Sequence, residues 1–247
     1  MLFEARNIHK RFGSRVVLED ISLAFEEGHV YGIMGPNGAG KTTCFNVLTG
    51  LHRPDRGSIR LDGRDITGLP PQRMAAIGLS RSFQIMSLFD DMLVIENVVL
   101  ALPAFRRQRR RVSGAVFENK ALIDAAVAVL AQVGLAERAW DRATALSYGE
   151  RRALEIAIGL AAAPRILFLD EPTSGLGGEG TRALALLIER LRAQYTIVII
   201  EHDMHFLFGL ADRISVIHWG QVIAEGTPDA LRDNPWVQRS NLGALKS

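Results

Sequence analysis

The reading of the fold turns on the stretch Val30-Tyr-Gly-Ile-Met34 followed by Gly35-Pro36-Asn37-Gly38-Ala39-Gly40-Lys41-Thr42. The first five residues form a short apolar run that reads as a buried strand. The next eight satisfy the spacing G-x-x-x-x-G-K-T, and a helical pattern follows them, which is the strand-to-helix setting a phosphate-binding loop requires. Glycines at 35, 38 and 40 let backbone N–H groups turn inward around a phosphate, and the start of the following helix adds its dipole. Lys41 neutralises phosphate charge and the Thr42 hydroxyl ligates magnesium. Gly35, Asn37, Gly38, Ala39, Gly40, Lys41, Thr42 and Thr43 are therefore the candidate nucleotide cradle.

Outward from this loop, Ile166 to Asp170, Thr196 to Ile200 and Ile214 to His218 read as further buried strands, with helical patterns between them. That alternation predicts a mostly parallel sheet covered by helices. Leu2 to His9 and Val16 to Phe25 are expected to add antiparallel strands at the N-terminus. From about Ile85 to Gln132 no comparable buried strand is expected, whereas Ala121 to Val133 repeats apolar residues at helical spacing, which predicts an inserted helical subdomain.

Composition sets the outer bounds. The chain has 247 residues, 48% of them hydrophobic, enough for a sizeable core. Its 29 basic and 27 acidic side chains nearly cancel, so charge gives no argument for a polyanion, and nucleic acid is not an expected partner. Cys44 is the single cysteine, which excludes an internal disulfide. It lies just inside the helix after the loop, where a helix dipole lowers a thiol pKa; a buried, small apolar role is the preferred reading. The opening MLFEARNIHK lacks the pattern of a secretory signal, and no apolar run reaches the roughly 20 residues of a spanning helix. Any membrane role is expected to be peripheral, on the cytoplasmic side.

A second acidic site follows Ile166-Leu-Phe-Leu169, at Asp170-Glu171, the carboxyl end of a predicted strand, where open α/β sheets bind ligands. Asp170 is the candidate for the magnesium shell, directly or through water, and Glu171 the candidate base for an attacking water.

Leu146-Ser147-Tyr148-Gly149-Glu150 lies upstream of that acidic strand at the interval where ABC ATPases carry their signature, and the chain resembles that family over nearly its whole length. Gln84 in Arg81-Ser-Phe-Gln resembles the family's glutamine loop, and His202 in Glu201-His-Asp-Met its switch histidine. Phe12, before Gly13, takes the place of the aromatic that stacks on adenine. The resemblance implies one ABC ATPase domain over 1–247. In it, 1–84 and 160–247 form the nucleotide-binding core and 85–159 the helical subdomain. It also implies MgATP as ligand, catalytic roles for Glu171, His202, Gln84 and Lys41, and Thr42, Gln84 and Asp170 on the metal. Two subunits would pair head to tail, so that Ser147 and Gly149 of one face the γ-phosphate held by Lys41 of the other.

Tyr148 replaces the family's usual glycine and Glu150 its usual glutamine. Ser174-Gly-Leu-Gly177 ends in glycine where the family commonly has aspartate. Within the family, Arg81-Ser-Phe-Gln-Ile-Met-Ser-Leu-Phe, Tyr148-Gly-Glu-Arg-Arg-Ala-Leu-Glu-Ile-Ala and Glu201-His-Asp-Met resemble the branched-chain amino acid importer group. The tail, Gly226-Thr-Pro-Asp and Asn241-Leu-Gly, agrees in part. That group implies a second related ATPase, two multi-span permease subunits and an extracytoplasmic binding protein. The alternative is a soluble ABC ATPase of translation or DNA repair, against which stand the single cassette and the short insert. The run Arg106-Arg-Gln-Arg-Arg-Arg111 reads first as a solvated loop and, more sharply, as a contact for anionic lipid. His202 and His205 have no companions that would complete a zinc set.

Overall fold

The computed structural model describes residues 1–81, 88–108, 119–235 and 237; Gln84, Asn241 and the side chains at 106–111 lie outside that set. The strands are β1 (Phe3–Phe12), β2 (Arg15–Phe25), β3 (Val30–Met34), β4 (Arg56–Leu61), β5 (Arg64–Asp65), β6 (Leu79–Arg81), β7 (Ile166–Asp170), β8 (Thr196–Ile200), β9 (Arg213–His218) and β10 (Gln221–Gly226). The α-helices are α1 (Lys41–Leu48), α2 (Pro71–Ala76), α3 (Val94–Ala101), α4 (Pro103–Gln108), α5 (Lys120–Gln132), α6 (Tyr148–Ala161), α7 (Gly178–Leu191), α8 (Met204–Leu210) and α9 (Pro228–Arg232).

Two sheets result. The first is antiparallel, in the order β2-β1-β4-β5, with Phe3 opposite Phe25 on one side and Leu61 on the other. The second runs β10-β9-β3-β8-β7-β6; β9, β3, β8, β7 and β6 are parallel, and β10 closes one edge antiparallel to β9. Every residue of β3, β7 and β8 is buried, which explains why these strands read as continuous apolar runs: a parallel sheet is covered on both faces.

Alternate residues of the parallel strands serve two cores. Ile166, Phe168, Val198 and Ile200 point toward the antiparallel sheet and α1, where Phe168 meets Phe3 and Phe45 edge-on at ring distances of 5.9 and 6.0 Å. Leu167, Leu169, Ile197 and Ile199 point the other way, into a core shared with α3, α5, α6, α7 and α8. Burying both faces ties the strand ends to fixed positions, and the functional side chains sit at those ends.

α6 has a start that is legible in the sequence. Ser147 caps it, accepting from the Glu150 N–H at 3.4 Å, while the Glu150 carboxylate accepts from the Ser147 N–H at 2.8 Å. The apolar face formed by Leu154, Ile156, Ala157, Leu160 and Ala161 is buried beneath it. No described helix is long and apolar enough to cross a membrane.

Candidate active site

β3 delivers the chain to the phosphate-loop sequence from the centre of the parallel sheet, between β8 and β9, and α1 leaves at Lys41. Close packing fixes the turn. A Cβ on Gly35 would overlap the carbonyl oxygen of Ile217, so no side chain fits where the loop leaves the strand. The Gly220 N–H donates to the Ala39 carbonyl at 3.0 Å, joining the loop to the β9–β10 hairpin. Asn37, Gly38 and Thr42 are exposed, and Thr43 is half-buried.

Lys41 is buried, and its ammonium donates to the carbonyl oxygens of Gly35 at 2.7 Å and Pro36 at 3.1 Å. Burial pulls its pKa below the ordinary lysine value, and Glu171, Asp170 and Glu201 pull the other way. Cys44 is fully buried and its thiol is pushed up to about 12 by desolvation, which bears out the apolar reading and removes it as a reactive group.

Asp170 and Glu171 sit at the end of β7. Asp170 is 1% exposed; burial, with Glu171 next in effect, pushes its pKa up to about 6. Glu171 takes a left-handed backbone, φ 43°, an unusual conformation for a residue with a Cβ. Its N–H donates to Ile200 O at 2.8 Å, and its carbonyl accepts from Arg152 of α6 at 3.3 Å. Arg152 in turn donates to Glu155 at 2.6 Å, a buried pair that ties α6 to the strand end. His202, from the loop after β8, places Nδ1 3.8 Å from Glu171 Oε1.

One cleft of about 280 Å³ is lined by Arg15, Val17, Asn37, Gly38, Gly40, Lys41, Thr42, Thr43 and Glu171; Gly35, Ala39, Asp170 and His202 are not among its lining residues. Phosphate-loop residues and the candidate base thus share a wall in a single chain. Ser147 and Gly149 do not line that cleft; both are exposed at the start of α6 and border a separate groove with Leu176 and Arg190. Phe12 stands half exposed at the end of β1, edge-on to His52 at 5.3 Å and with the Lys10 ammonium 5.4 Å from its ring. The proposed contacts of Gln84 fall outside the described residues.

Among the described residues no cluster of three or more His, Cys, Asp or Glu side chains could hold a metal ion unaided. The donor set still suits magnesium. A threonine hydroxyl at the first turn of α1 and a strand-end carboxylate are hard oxygen donors, and magnesium is commonly held by one or two protein oxygens with substrate phosphates completing the shell.

Sequence reasoning overlooked Arg15, which lines the cleft three residues after Phe12, and Glu201, which is buried just after β8. Arg15 has no motif around it; only its place just beyond the Phe12-Gly13 turn could have drawn attention.

Comparison with known proteins identifies the family and the fold. Residues 18–174 match the family described as ABC transporter. The high-affinity branched-chain amino acid transport ATP-binding protein LivG of Salmonella typhimurium is 40% identical, over 98% of this chain and 98% of that protein. BraF of Pseudomonas aeruginosa, bearing the same description, matches equally, at 40% identity and 98% of both chains. Among solved structures, the ADP conformation of MJ1267, an ATP-binding cassette of an ABC transporter, superposes with a TM-score of 0.88 at 27% identity, covering 98% of this chain and 99% of that one. The dimeric post-hydrolysis state of the cassette MJ0796 bound to ADP and Pi gives a TM-score of 0.74 at 25% identity, covering 92% and 99%. With a phosphate loop, a strand-end acid pair and a capped signature helix in the fold of these cassettes, the chain belongs to the ABC transporter family as an ATP-hydrolysing, ATP-binding cassette.

Proposed function

We propose that this chain binds MgATP and powers an importer of branched-chain or other hydrophobic amino acids from the cytoplasmic face of the inner membrane. The observation that carries the reading is the division of the site. The phosphate loop and Glu171 line one cleft, with His202 beside Glu171, whereas Ser147 and Gly149 lie exposed elsewhere. A second cassette, turned head to tail, brings its Ser147 hydroxyl, Gly149 N–H and α6 N-terminus to the phosphate held by Lys41. The dimeric state of MJ0796 supports the pairing of two cassettes. By the same resemblance 85–159 is the helical subdomain and the remainder the nucleotide-binding core.

In this assembly the backbone from Gly35 to Gly40 cradles the phosphates, Lys41 neutralises their charge, and Phe12 stacks on the base. Thr42 and Asp170, with Gln84, hold magnesium, which neutralises charge developing on the transferred phosphoryl group. Glu171 orients the attacking water and accepts its proton at the carboxylate. His202 reaches the γ-phosphate side of the same water. Closing the pair excludes bulk water and strengthens each of these interactions. The partners are a second ABC ATPase, two transmembrane permeases and, indirectly, an extracytoplasmic binding protein; the likeness to LivG and BraF supports this assembly.

Mass spectrometry of proteins co-purifying with the chain from detergent-solubilised native membranes tests the reading. Multi-span permeases with a second ABC ATPase are expected. Reproducible recovery of soluble ribosomal or DNA-repair proteins alone would overturn the transport role and favour the non-transport alternative.

A further inference from the structure

Glu201 directly follows β8 and is completely buried, at 0% exposure, beneath the two loops that carry Glu171 and His202. Its Oε1 accepts from the Thr173 N–H at 2.9 Å and from the Thr173 hydroxyl. Its Oε2 accepts from the His202 N–H at 2.9 Å and the Asp203 N–H at 3.3 Å, and lies 3.5 Å from His202 Nδ1. One carboxylate thus accepts from three backbone N–H groups of two irregular segments, the Thr173 N–H among them buried. Each segment is also anchored beyond it. Asp203 caps α8, accepting from the Phe206 N–H at 3.1 Å, and the Ser174 N–H donates to the Glu171 carbonyl at 3.1 Å.

The strand does not need this side chain. β8 pairs with β3 and β7 through its backbone, and the Glu201 N–H continues that ladder onto Ile33 O at 3.1 Å. What the carboxylate joins is the loop after the candidate base and the loop of the candidate switch histidine. Resting on the proposed roles of Glu171 and His202, we propose that Glu201 is a positioning residue for hydrolysis: a clamp that fixes His202 against Glu171 from below without touching nucleotide. A carboxylate suits the task because both its oxygens accept. In Glu201→Gln one oxygen becomes an NH₂ group facing N–H donors, so one loop loses its anchor while the volume is unchanged.

The test is steady-state ATPase kinetics of the full chain with MgATP, together with nucleotide titration. Glu201→Gln is expected to lower kcat at least about tenfold with KM and nucleotide Kd within about threefold of the parent, since a lost positioning contact acts on the transition state. If the clamp works through His202, Glu201→Gln combined with His202→Ala turns over within about twofold of His202→Ala alone, the non-additivity of groups acting as a unit. Thr173→Val, which removes only the hydroxyl donor, is expected to show the same kcat loss in milder form and decides the matter if Glu201→Gln yields no folded protein. Parental kcat in Glu201→Gln, or in Thr173→Val where only that variant folds, would overturn the clamp, as would losses that multiply with His202→Ala. If Glu171→Gln and His202→Ala themselves keep parental turnover, the hydrolytic assignment fails and the clamp with it. If those two fall while Glu201→Gln does not, the clamp alone fails.

Discussion

His202 Nδ1 lies 3.8 Å from Glu171 Oε1, although the two residues come from loops after different strands, β8 and β7. Adjacent parallel strands ending in register, Asp170 beside Ile200, bring the loops together. The register of the sheet therefore brings the loops of the candidate base and the candidate switch histidine side by side.

That proximity makes Glu171→Gln the sharpest chemical probe. Turnover should fall at least about a hundredfold, the range for losing general base catalysis, while nucleotide affinity is retained. Phosphate release and a fluorescent-nucleotide titration on one preparation check both halves. Undiminished turnover would remove Glu171 from its role.

The phosphate loop tolerates no side chain at its first glycine. Gly35→Ala places a methyl group into the Ile217 carbonyl oxygen, so the loop must leave its β3–β9 seat. Nucleotide binding should be lost at any concentration the parent saturates. Calorimetric titration reads this, and parental affinity would show that the loop relaxes without consequence.

Much of this was legible beforehand. The apolar runs of β3, β7 and β8 and the helical spacing of α5 announced themselves because each buries its side chains in a regular pattern. β4, β6 and β10 did not. β6 has three residues, β4 buries only Ile59 and Leu61, and β10 is half-buried along the edge of its sheet. At the site, the loop pattern pointed to Lys41, the end of a predicted strand to Asp170 and Glu171, and the family resemblance to His202. Glu201 stayed hidden, because an acid beside a histidine carries no periodicity; only the meeting of the Thr173 and His202 loops gives it partners.

Buried Asp170 gives the nucleotide-free protein a defined pH response. Its pKa rises from an ordinary 3.8 to about 6, so the folded state holds a proton that the unfolded state releases earlier. Stability contributed at this position is full below pH 4 and falls as pH rises to about 6, by about 3 kcal/mol. Asp170→Asn abolishes that contribution. The stability difference between variant and parent, from denaturant titrations across that range, should grow with pH in favour of the variant, and a flat difference would contradict the shift.

Tyr148 supplies a reason for the departure from glycine in the signature. Its hydroxyl donates to the Ser174 carbonyl at 3.0 Å, linking the start of α6 to the loop after Glu171. Gly175 lies under the ring: a Cβ there would come within 2.5 Å of Tyr148 Oη, and φ is +76°. Tyr148→Phe should cost about 1 kcal/mol, a shift of roughly 2–4 °C in Tm for a chain of this size. Gly175→Ala should cost more, through both clash and backbone strain. Thermal unfolding of the two variants orders them, and the reverse order would contradict the strap.

The central claim, that one chain carries the base and phosphate loop but borrows its signature from a second, is tested most directly by light scattering on Glu171→Gln with and without MgATP. A two-chain species formed only with MgATP, and lost when Ser147→Arg blocks the signature surface, is the predicted result. A protein that stays monomeric with saturating MgATP, while the parent hydrolyses ATP at a rate independent of its concentration, would contradict it.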